Sequence, residues 1–373
     1  MSRRRVVMYL DARSGRTYPL DARRWCGDDG APLTVAPSSG IGPDDIDRRT
    51  RSLWRYRAAL PGAITRPVSL GEGRTPLLER RWGDTPVHFK LEWFNPTGSF
   101  KDRGSSVMIS LLAQAGVDSV LEDSSGNGGS SVAAYCAAAG IKARILAPEG
   151  TSPAKVLQSR AYGAEVALVP GNRDATAARA VEESADTCYA SHNWHPFFLQ
   201  GTKTLAYELW EDLGFTAPDA VITVAGAGST VLGCDLGFTE LLAAGQIDRL
   251  PRLLVAQPLN CAPIHARFHG TEAAFAPTIA EGTAIREPVR LPEVLDAVRR
   301  SGGDLAAIPE AAIAEAVRDL AAMGLYAEPT SATAATAIEV FAARGAIRPG
   351  ETTVVVLTGS GLKAPTTMAG VFA

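Results

Sequence analysis

The chain has 373 residues, of which 46% are hydrophobic and 21% charged, with a formal net charge of -3. That length accommodates two compact domains, or one large domain carrying an insert, and the charge balance leaves little to draw the chain onto nucleic acid or an anionic membrane. No apolar run approaches the roughly 18 residues of a membrane span, and the basic cluster Arg3, Arg4, Arg5 is too short to be more than a solvated terminus. The opening Met-Ser-Arg-Arg-Arg lacks the apolar segment of a signal peptide. The five cysteines (Cys26, Cys136, Cys188, Cys234, Cys261) are scattered without C-x-x-C spacing, which points to reduced thiols and a cytoplasmic protein.

Along the chain, residues 28–50 are rich in Asp, Gly and Pro and read as loop. From there β-branched or apolar runs alternate with Ala-rich helical stretches. Strands are predicted at 117–122, 143–147, 165–169, 220–224, 252–257 and 352–357. Helices are predicted at 130–139, 153–162, 202–213, 311–322 and 332–344, and 270–293 reads as an irregular connection. That alternation is what an α/β protein with mostly parallel sheets requires. No repeat of 20–50 residues and no low-complexity tract interrupts it.

Ligands of open parallel sheets sit beyond the carboxyl ends of the strands, and four such junctions carry unusual chemistry. In Asn95-Pro96-Thr97-Gly98-Ser99-Phe100-Lys101-Asp102-Arg103-Gly104 a lysine follows a tight turn and opens a helix. A confined amine of this kind has a depressed pKa and forms Schiff bases readily, whereas an isolated lysine would more ordinarily pair with Asp102 at the surface. Asp123-Ser124-Ser125-Gly126-Asn127-Gly128-Gly129-Ser130-Ser131 is a nest of backbone N–H groups suited to a carboxylate, although such runs also serve as plain turns. Val224-Ala225-Gly226-Ala227-Gly228-Ser229-Thr230-Val231-Leu232-Gly233 can wrap a phosphate. It is not the dinucleotide fingerprint, because Val231 stands where the third glycine belongs, and no Walker A loop occurs. In Leu357-Thr358-Gly359-Ser360-Gly361-Leu362-Lys363 a hydroxyl at a strand end can bond a heterocycle nitrogen.

Together these strings resemble the fold type II enzymes dependent on pyridoxal 5′-phosphate (PLP), a tryptophan synthase β-like α/β fold, and in detail the threonine synthase family. Leu70-Gly71-Glu72-Gly73-Arg74-Thr75-Pro76-Leu77, Gly201-Thr202-Lys203-Thr204 and Glu328-Pro329-Thr330-Ser331-Ala332 match further family signatures. The resemblance implies that Lys101 is the catalytic, Schiff-base lysine and that Asn127 bonds the cofactor's phenolic oxygen. Gly226, Ala227, Gly228, Ser229 and Thr230 would hold the cofactor phosphate, and Thr358 the pyridine nitrogen. Ser125, Gly126, Gly128 and Gly129 would cup the substrate carboxylate. A hydroxyl rather than a carboxylate at the ring nitrogen favours elimination or replacement over transamination.

The resemblance also implies a large cofactor-binding domain of residues 1–104 and 211–373, a smaller mobile domain of 105–210, a cofactor cleft closed against water, and a homodimer. Two departures stand out. The family's N-terminal zinc-ribbon-like segment is degenerate here: Tyr18-Pro19 and Cys26 remain, but Asp11, Ser14 and Asp29 replace its partners, and one thiolate cannot build a structural zinc site. No metal is expected. In Ser191-His192-Asn193-Trp194-His195-Pro196-Phe197-Phe198-Leu199-Gln200-Gly201, Phe198 falls where phosphohomoserine-using relatives carry a phosphate-gripping arginine, and His192 and Asn193 replace their Asn-Ser pair. Losing a guanidinium is not conservative, so His192, Asn193 and Phe198 are expected at an altered substrate site. The aromatics Trp194, Phe197 and Phe198 either line that pocket or fill a core. The two histidines either act as acids toward a leaving group or are held structurally.

The expected function is a PLP-dependent lyase or synthase performing elimination or replacement on the side chain of a small amino acid. Three alternatives remain open at this point: a true threonine synthase, a threonine or serine ammonia-lyase, and a non-catalytic regulator that binds PLP or an amino acid. A nicotinamide-dependent dehydrogenase is disfavoured by the missing glycine.

Overall fold

The computed structural model describes residues 7–62 and 64–373; the arginines at 3–5 lie outside the described residues. In chain order the elements are β1 (Met8–Asp11), β2 (Thr17–Pro19), β3 (Leu33–Val35), β4 (Leu77–Trp82), β5 (Thr85–Leu91), α1 (Lys101–Gln114), β6 (Ser119–Glu122), α2 (Asn127–Ala139), β7 (Lys142–Pro148), α3 (Pro153–Ala161), β8 (Glu165–Val169), α4 (Arg173–Glu183), β9 (Cys188–Tyr189), α5 (Pro196–Thr202) and α6 (Thr204–Asp212). There follow β10 (Ala220–Val224), α7 (Ser229–Ala243), β11 (Arg252–Pro258), α8 (Pro263–His269), α9 (Leu291–Arg300), β12 (Asp304–Ile308), α10 (Glu310–Ala322), α11 (Pro329–Ala343), β13 (Thr353–Leu357) and α12 (Pro365–Phe372). No helix among the described residues is long and apolar enough to cross a membrane.

The chain divides into two compact units, one of Met1–Gly71 with Lys101–Thr202, the other of Glu72–Phe100 with Lys203–Ala373. These boundaries differ from the 105–210 division expected from the sequence, chiefly because the N-terminal segment sides with the first unit. The cause is a shared core: Tyr9, Leu33, Val35 and Trp54 pack in one cluster with Val107, Met108, Val132, Ile145 and Phe197. Burial of apolar area at ~25 cal/mol per Å² outweighs the chain connection to β4.

In the first unit β8-β7-β6-β9 form an all-parallel sheet, and β2-β1-β3 a small antiparallel one. Strands β1 to β5, β9 and β12 were not predicted from the sequence; β3 lies inside the stretch read as loop, and with three residues it offers almost no period to detect. In the second unit the order is β12-β11-β10-β13-β5-β4, parallel except for the edge hairpin β4–β5. β10 and β13 are buried along their whole length, as central parallel strands are. The predicted strands at 165–169 and 220–224 coincide with β8 and β10. The helix predicted over 202–213 is α6, set off by Lys203 alone from α5, which was not predicted. There the buried ammonium bonds Glu240 Oε1 at 2.8 Å, and the Lys203 carbonyl packs so closely on Gly237 that a Cβ there would lie 2.6 Å away.

In the N-terminal segment, side-chain hydrogen bonds close the turns at Asp11 and Asp29. Asp11 accepts from the Arg13 N–H at 2.9 Å and from the Ser14 hydroxyl, and Asp29 accepts from the Ala31 N–H at 3.1 Å. Among the described residues no group of three potential metal ligands converges.

Candidate active site

In the second unit, parallel neighbours place three motifs at one edge. β10, β13 and β5 run side by side in the same direction, so the loops after Val224, Leu357 and Leu91 all leave from the same end of the sheet. The loop after β5 is the string that delivers Lys101. It is stitched to the loop after β13: the Phe100 N–H donates to the Thr358 carbonyl at 3.0 Å, and the Ser360 N–H donates to the Gly98 carbonyl at 3.1 Å. Gly98 takes φ +87° in this turn, a left-handed geometry that favours glycine. Lys101 follows as the first residue of α1.

Thr358 is buried, with Oγ1 3.1 Å from Ser331 Oγ on α11. Ser331 in turn accepts from the Gly359 N–H at 2.8 Å and donates to the Gly359 carbonyl at 3.0 Å. The hydroxyl at the strand end is therefore fixed by a neutral partner. Ser331 was visible in the sequence only as part of a motif, without this role.

After β10, the chain turns through Gly226-Ala227-Gly228 into α7, whose first residues are Ser229 and Thr230. Gly228 caps the helix at φ +88° with no side-chain cap. A Cβ on it would lie 2.3 Å from Val294 Cγ2. Backbone N–H groups at the opening of a 15-residue helix thus have no side-chain acceptor at the cap, which is the donor set an anion requires.

In the first unit, α2 begins at Asn127 rather than at residue 130, so Gly128 and Gly129 belong to its first turn. Their lack of a side chain is a packing necessity. A Cβ on Gly129 would lie 1.9 Å from the Ser124 carbonyl oxygen, and one on Gly128 would lie 2.7 Å from His192 Nδ1. Ser125 and Asn127 are half-buried and Gly126 is exposed, with open space where its Cβ would be. Of these three glycines only Gly126 has open space where a side chain would stand.

Lys101, Gly128, His192 and Phe198 come together in this unit. The Lys101 ammonium sits 5.7 Å from the centroid of the Phe198 ring, a cation–π distance. The same ring lies against Gly104, where a Cβ would be 2.5 Å away, and against the His192 ring at 5.9 Å. Phe197 and Phe198 are both fully buried in the unit's core. Trp194 is half-buried and packs edge-on to Trp25 at 5.1 Å. Asp102 is buried and accepts from Ser131 at 2.6 Å. Asn193, half-buried, is the next residue after His192.

The two histidines part company. His195 Nδ1 accepts from the Phe197 N–H at 3.3 Å and Nε2 bonds the Ala22 carbonyl at 3.0 Å, so both ring nitrogens are occupied by backbone. His192 uses one: Nδ1 lies 2.7 Å from Glu122 Oε1, while its backbone N–H donates to Glu122 Oε2 at 3.0 Å. Burial raises the Glu122 pKa to about 8 against the pull of Lys101 and Arg173. Burial, with Lys101 next, holds His192 well below 6.5. Glu122 was missed in the sequence, where it read as a strand's last residue. A carboxylate directly after the apolar Val120-Leu121 pair of a buried strand was the available signal.

The family described as "Pyridoxal-phosphate dependent enzyme" matches residues 68–359. A threonine synthase from Methanocaldococcus jannaschii is 34% identical over 371 residues, covering 94% of this chain and 91% of the relative. One from Synechocystis sp. is 35% identical over 345 residues, covering 89% and 88%. A solved structure of a threonine deaminase from T.th. superposes with a TM-score of 0.61 at 28% identity, covering 77% of this chain and 92% of that one.

The residues present fit PLP. The uncapped α7 N-terminus behind the left-handed Gly228 suits a phosphate, the Thr358–Ser331 hydroxyl pair suits an uncharged ring nitrogen, and Lys101 supplies an amine. With the family matched over most of its length and full-length relatives named threonine synthase, the chain belongs to the pyridoxal-phosphate dependent enzymes, as a PLP-using lyase/synthase of the threonine synthase type.

Proposed function

We propose that this enzyme eliminates or replaces an oxygen substituent at Cβ of a small hydroxy amino acid, rather than acting on O-phosphohomoserine. The observation that carries this reading is Phe198. It occupies the place where the resemblance calls for a phosphate-binding arginine, and it is a fully buried ring packed on Gly104 and facing the Lys101 ammonium. An aromatic face offers a phosphate dianion no hydrogen-bond donor, whereas a guanidinium offers a bidentate pair.

Bound PLP supplies an electron sink for charge developed at the substrate's Cα. Lys101 would hold the cofactor and, once released, would take the Cα proton. Gly226, Ala227, Gly228, Ser229 and Thr230 would bind its phosphate, Thr358 would meet its ring nitrogen as a neutral hydroxyl, and Asn127 would bond its phenolic oxygen. Ser125, Gly126, Gly128 and Gly129 take the substrate carboxylate through backbone N–H groups, and His192, Asn193 and Phe198 border the side chain. We further propose that the enzyme works in the cytoplasm as a homodimer, a reading supported by the scattered free cysteines and by the family resemblance.

The test is product analysis by the purified enzyme with O-phospho-L-homoserine, L-threonine and L-serine in parallel. Release of 2-oxo acid and ammonia from the hydroxy amino acids, with no phosphate released from phosphohomoserine, is the expected result. Phosphate release with threonine formation would overturn the reading and make the protein a threonine synthase. Loss of all turnover in Lys101→Ala separates an enzyme from a binding protein.

A further inference from the structure

Resting on the elimination reading above, we propose that Glu122 and His192 form a proton-donating dyad, in which Glu122 orients His192 so that its Nε2–H protonates the departing β-oxygen of the substrate. Four observations carry it. First, both carboxylate oxygens of Glu122 bond His192: Oε2 accepts the His192 backbone N–H at 3.0 Å, and Oε1 faces Nδ1 at 2.7 Å. Oε1 is thus the oxygen that holds a proton when the carboxyl is neutral, and the partner ring must then carry its own proton on Nε2. Second, His192 Nε2 has no hydrogen-bond partner among the described residues, yet it is not among the fully enclosed unpartnered atoms. The His192 side chain as a whole is 5% exposed. Third, the ring lies over the first turn of α2, where only a glycine at 128 leaves room for it, and beside Phe198, which the Lys101 ammonium also faces. Fourth, the neighbouring His195 has both nitrogens bonded to backbone, so the openness of His192 is particular to that residue.

The surrounding charges favour the uncharged pair. Lys101 on α1 and Arg173 on α4 oppose a proton charge on His192, Asp123 at the end of β6 favours one, and burial dominates. Asp123 is itself occupied by the Tyr189 hydroxyl of β9 at 2.8 Å and by Ser191. With Glu122 raised to about 8, the pair at neutral pH is a carboxylic acid donating to Nδ1 and an imidazole with its proton on Nε2.

The step balances. The Cα–H bond breaks and its proton goes to the Lys101 amine. The Cβ–O bond breaks, a Cα=Cβ bond forms, and the oxygen leaves as water with the Nε2 proton. The Glu122 proton passes to Nδ1, leaving a carboxylate. Hydrolysis of the released enamine consumes one water and yields a 2-oxo acid and ammonia, and the Lys101 proton returns through solvent to Nε2 as the Nδ1 proton passes back to Glu122.

The experiment compares L-serine, whose hydroxide must be protonated, with β-chloro-L-alanine, whose chloride leaves without a proton. The holoenzyme is assayed as wild type, His192→Gln and Glu122→Gln, after the visible absorption of bound cofactor shows that each variant is loaded. His192→Gln is expected to lose about 10²–10⁴-fold in kcat on serine while chloroalanine changes by less than about 3-fold. Glu122→Gln keeps a donor to Nδ1 and hence the Nε2–H, so it retains part of the serine activity, but the fall in wild-type serine kcat as pH rises through about 8 disappears. A second readout needs no turnover. ¹⁵N spectra of histidine-labelled protein, with His192 assigned by its loss in the variant, should show Nε2 protonated at neutral pH and the proton moving to Nδ1 above that transition, in wild type only.

Equal losses on both substrates, or none, would overturn the acid role while leaving elimination intact. An Nδ1–H tautomer at neutral pH would overturn it independently. Failure of the wild type on both substrates would sink the elimination reading and the dyad's role with it.

Discussion

The backbone of Gly201 approaches Arg103 so closely that a Cβ on Gly201 would lie 1.9 Å from the Arg103 carbonyl oxygen. This contact locks α5 against α1, the helix that Lys101 opens. No rotamer change relieves a clash with backbone, so Gly201→Ala must push the helices apart. A loss of about 1–3 kcal/mol is expected in denaturant unfolding, together with weaker retention of PLP on dialysis, because the start of α1 shifts. Unchanged stability would show that the helices can separate without cost.

The residue after Arg103, Gly104, faces the Phe198 ring rather than backbone, and that difference makes its effect reversible. Gly104→Ala should destabilise, and adding Phe198→Leu should recover part of the loss, since a smaller side chain vacates the space. The two changes are in contact, so their effects should depart from additivity by about 0.5–3 kcal/mol. A thermal-unfolding double-mutant cycle reads this directly, and strict additivity would contradict the packing.

The sequence and the structure agree best where the chemistry is local. The Lys101 string, the glycine turn before Ser229 and the hydroxyl at Thr358 were legible because strand, turn and helix are contiguous there. What was not legible is pairing across distance. Glu122 and His192 are separated by 70 residues, and nothing in either string names the other. Only β6 and β9 lying side by side brings their ends together. The N-terminal segment's allegiance to the first unit was hidden for the same reason, because it depends on Tyr9 and Leu33 sharing a core with Val107 and Val132. His192 and His195 looked equivalent until their ring nitrogens were counted.

Cofactor affinity should depend on Gly228 through two separate physical effects. Its φ is +88°, and a Cβ would meet Val294 Cγ2 at 2.3 Å. Gly228→Ala is expected to weaken PLP binding by at least about tenfold, a change of ~1.4 kcal/mol, measured by equilibrium dialysis with free PLP. Pairing it with Val294→Ala removes the clash but not the backbone strain, so recovery should be partial. Full recovery would assign the whole effect to Val294.

A buried charge cluster holds the entry segment of the second unit in place. Lys90 Nζ lies 2.6 Å from Glu208 Oε1, 2.7 Å from Asp212 Oδ2 and 2.7 Å from the Thr75 carbonyl. Glu208 also accepts the Arg74 and Thr75 N–H groups at 2.7 and 2.9 Å. The Arg74 N–H bond helps hold that residue at φ +53°, an unusual geometry for a non-glycine residue. Lys90→Met leaves Glu208 buried without its cation, and about 3–5 kcal/mol should be lost. Lys90→Met with Glu208→Gln removes the stranded charge while keeping an acceptor, so the double variant should be the more stable of the two in urea unfolding. The opposite order would show that the ion pair, not the stranded charge, sets the cost.

The Glu122–His192 pair gives stability a pH dependence whose sign can be worked out. Glu122 titrates near 4.5 when unfolded and about 8 when folded; His192 titrates near 6.5 when unfolded and well below that when folded. Between pH 4.5 and 6.5 the folded pair holds the Glu122 proton and the unfolded chain holds the His192 proton, so the two states bind equal numbers and this contribution is flat. Above 6.5 the unfolded chain has released both protons while folded Glu122 keeps its own. Folding then binds the extra proton, and stability falls as pH rises, by about 2 kcal/mol up to the folded transition near 8. Glu122→Gln removes this decline and leaves only the His192 contribution, which rises with pH below 6.5 and is level above it. Denaturant unfolding of both proteins at pH 6.5 and pH 8 checks it: the wild type should lose stability relative to the variant across that interval. A gap that stays constant would mean that Glu122 is already ionised in the folded protein at pH 6.5, and the dyad would then rest as a carboxylate with its proton on Nδ1.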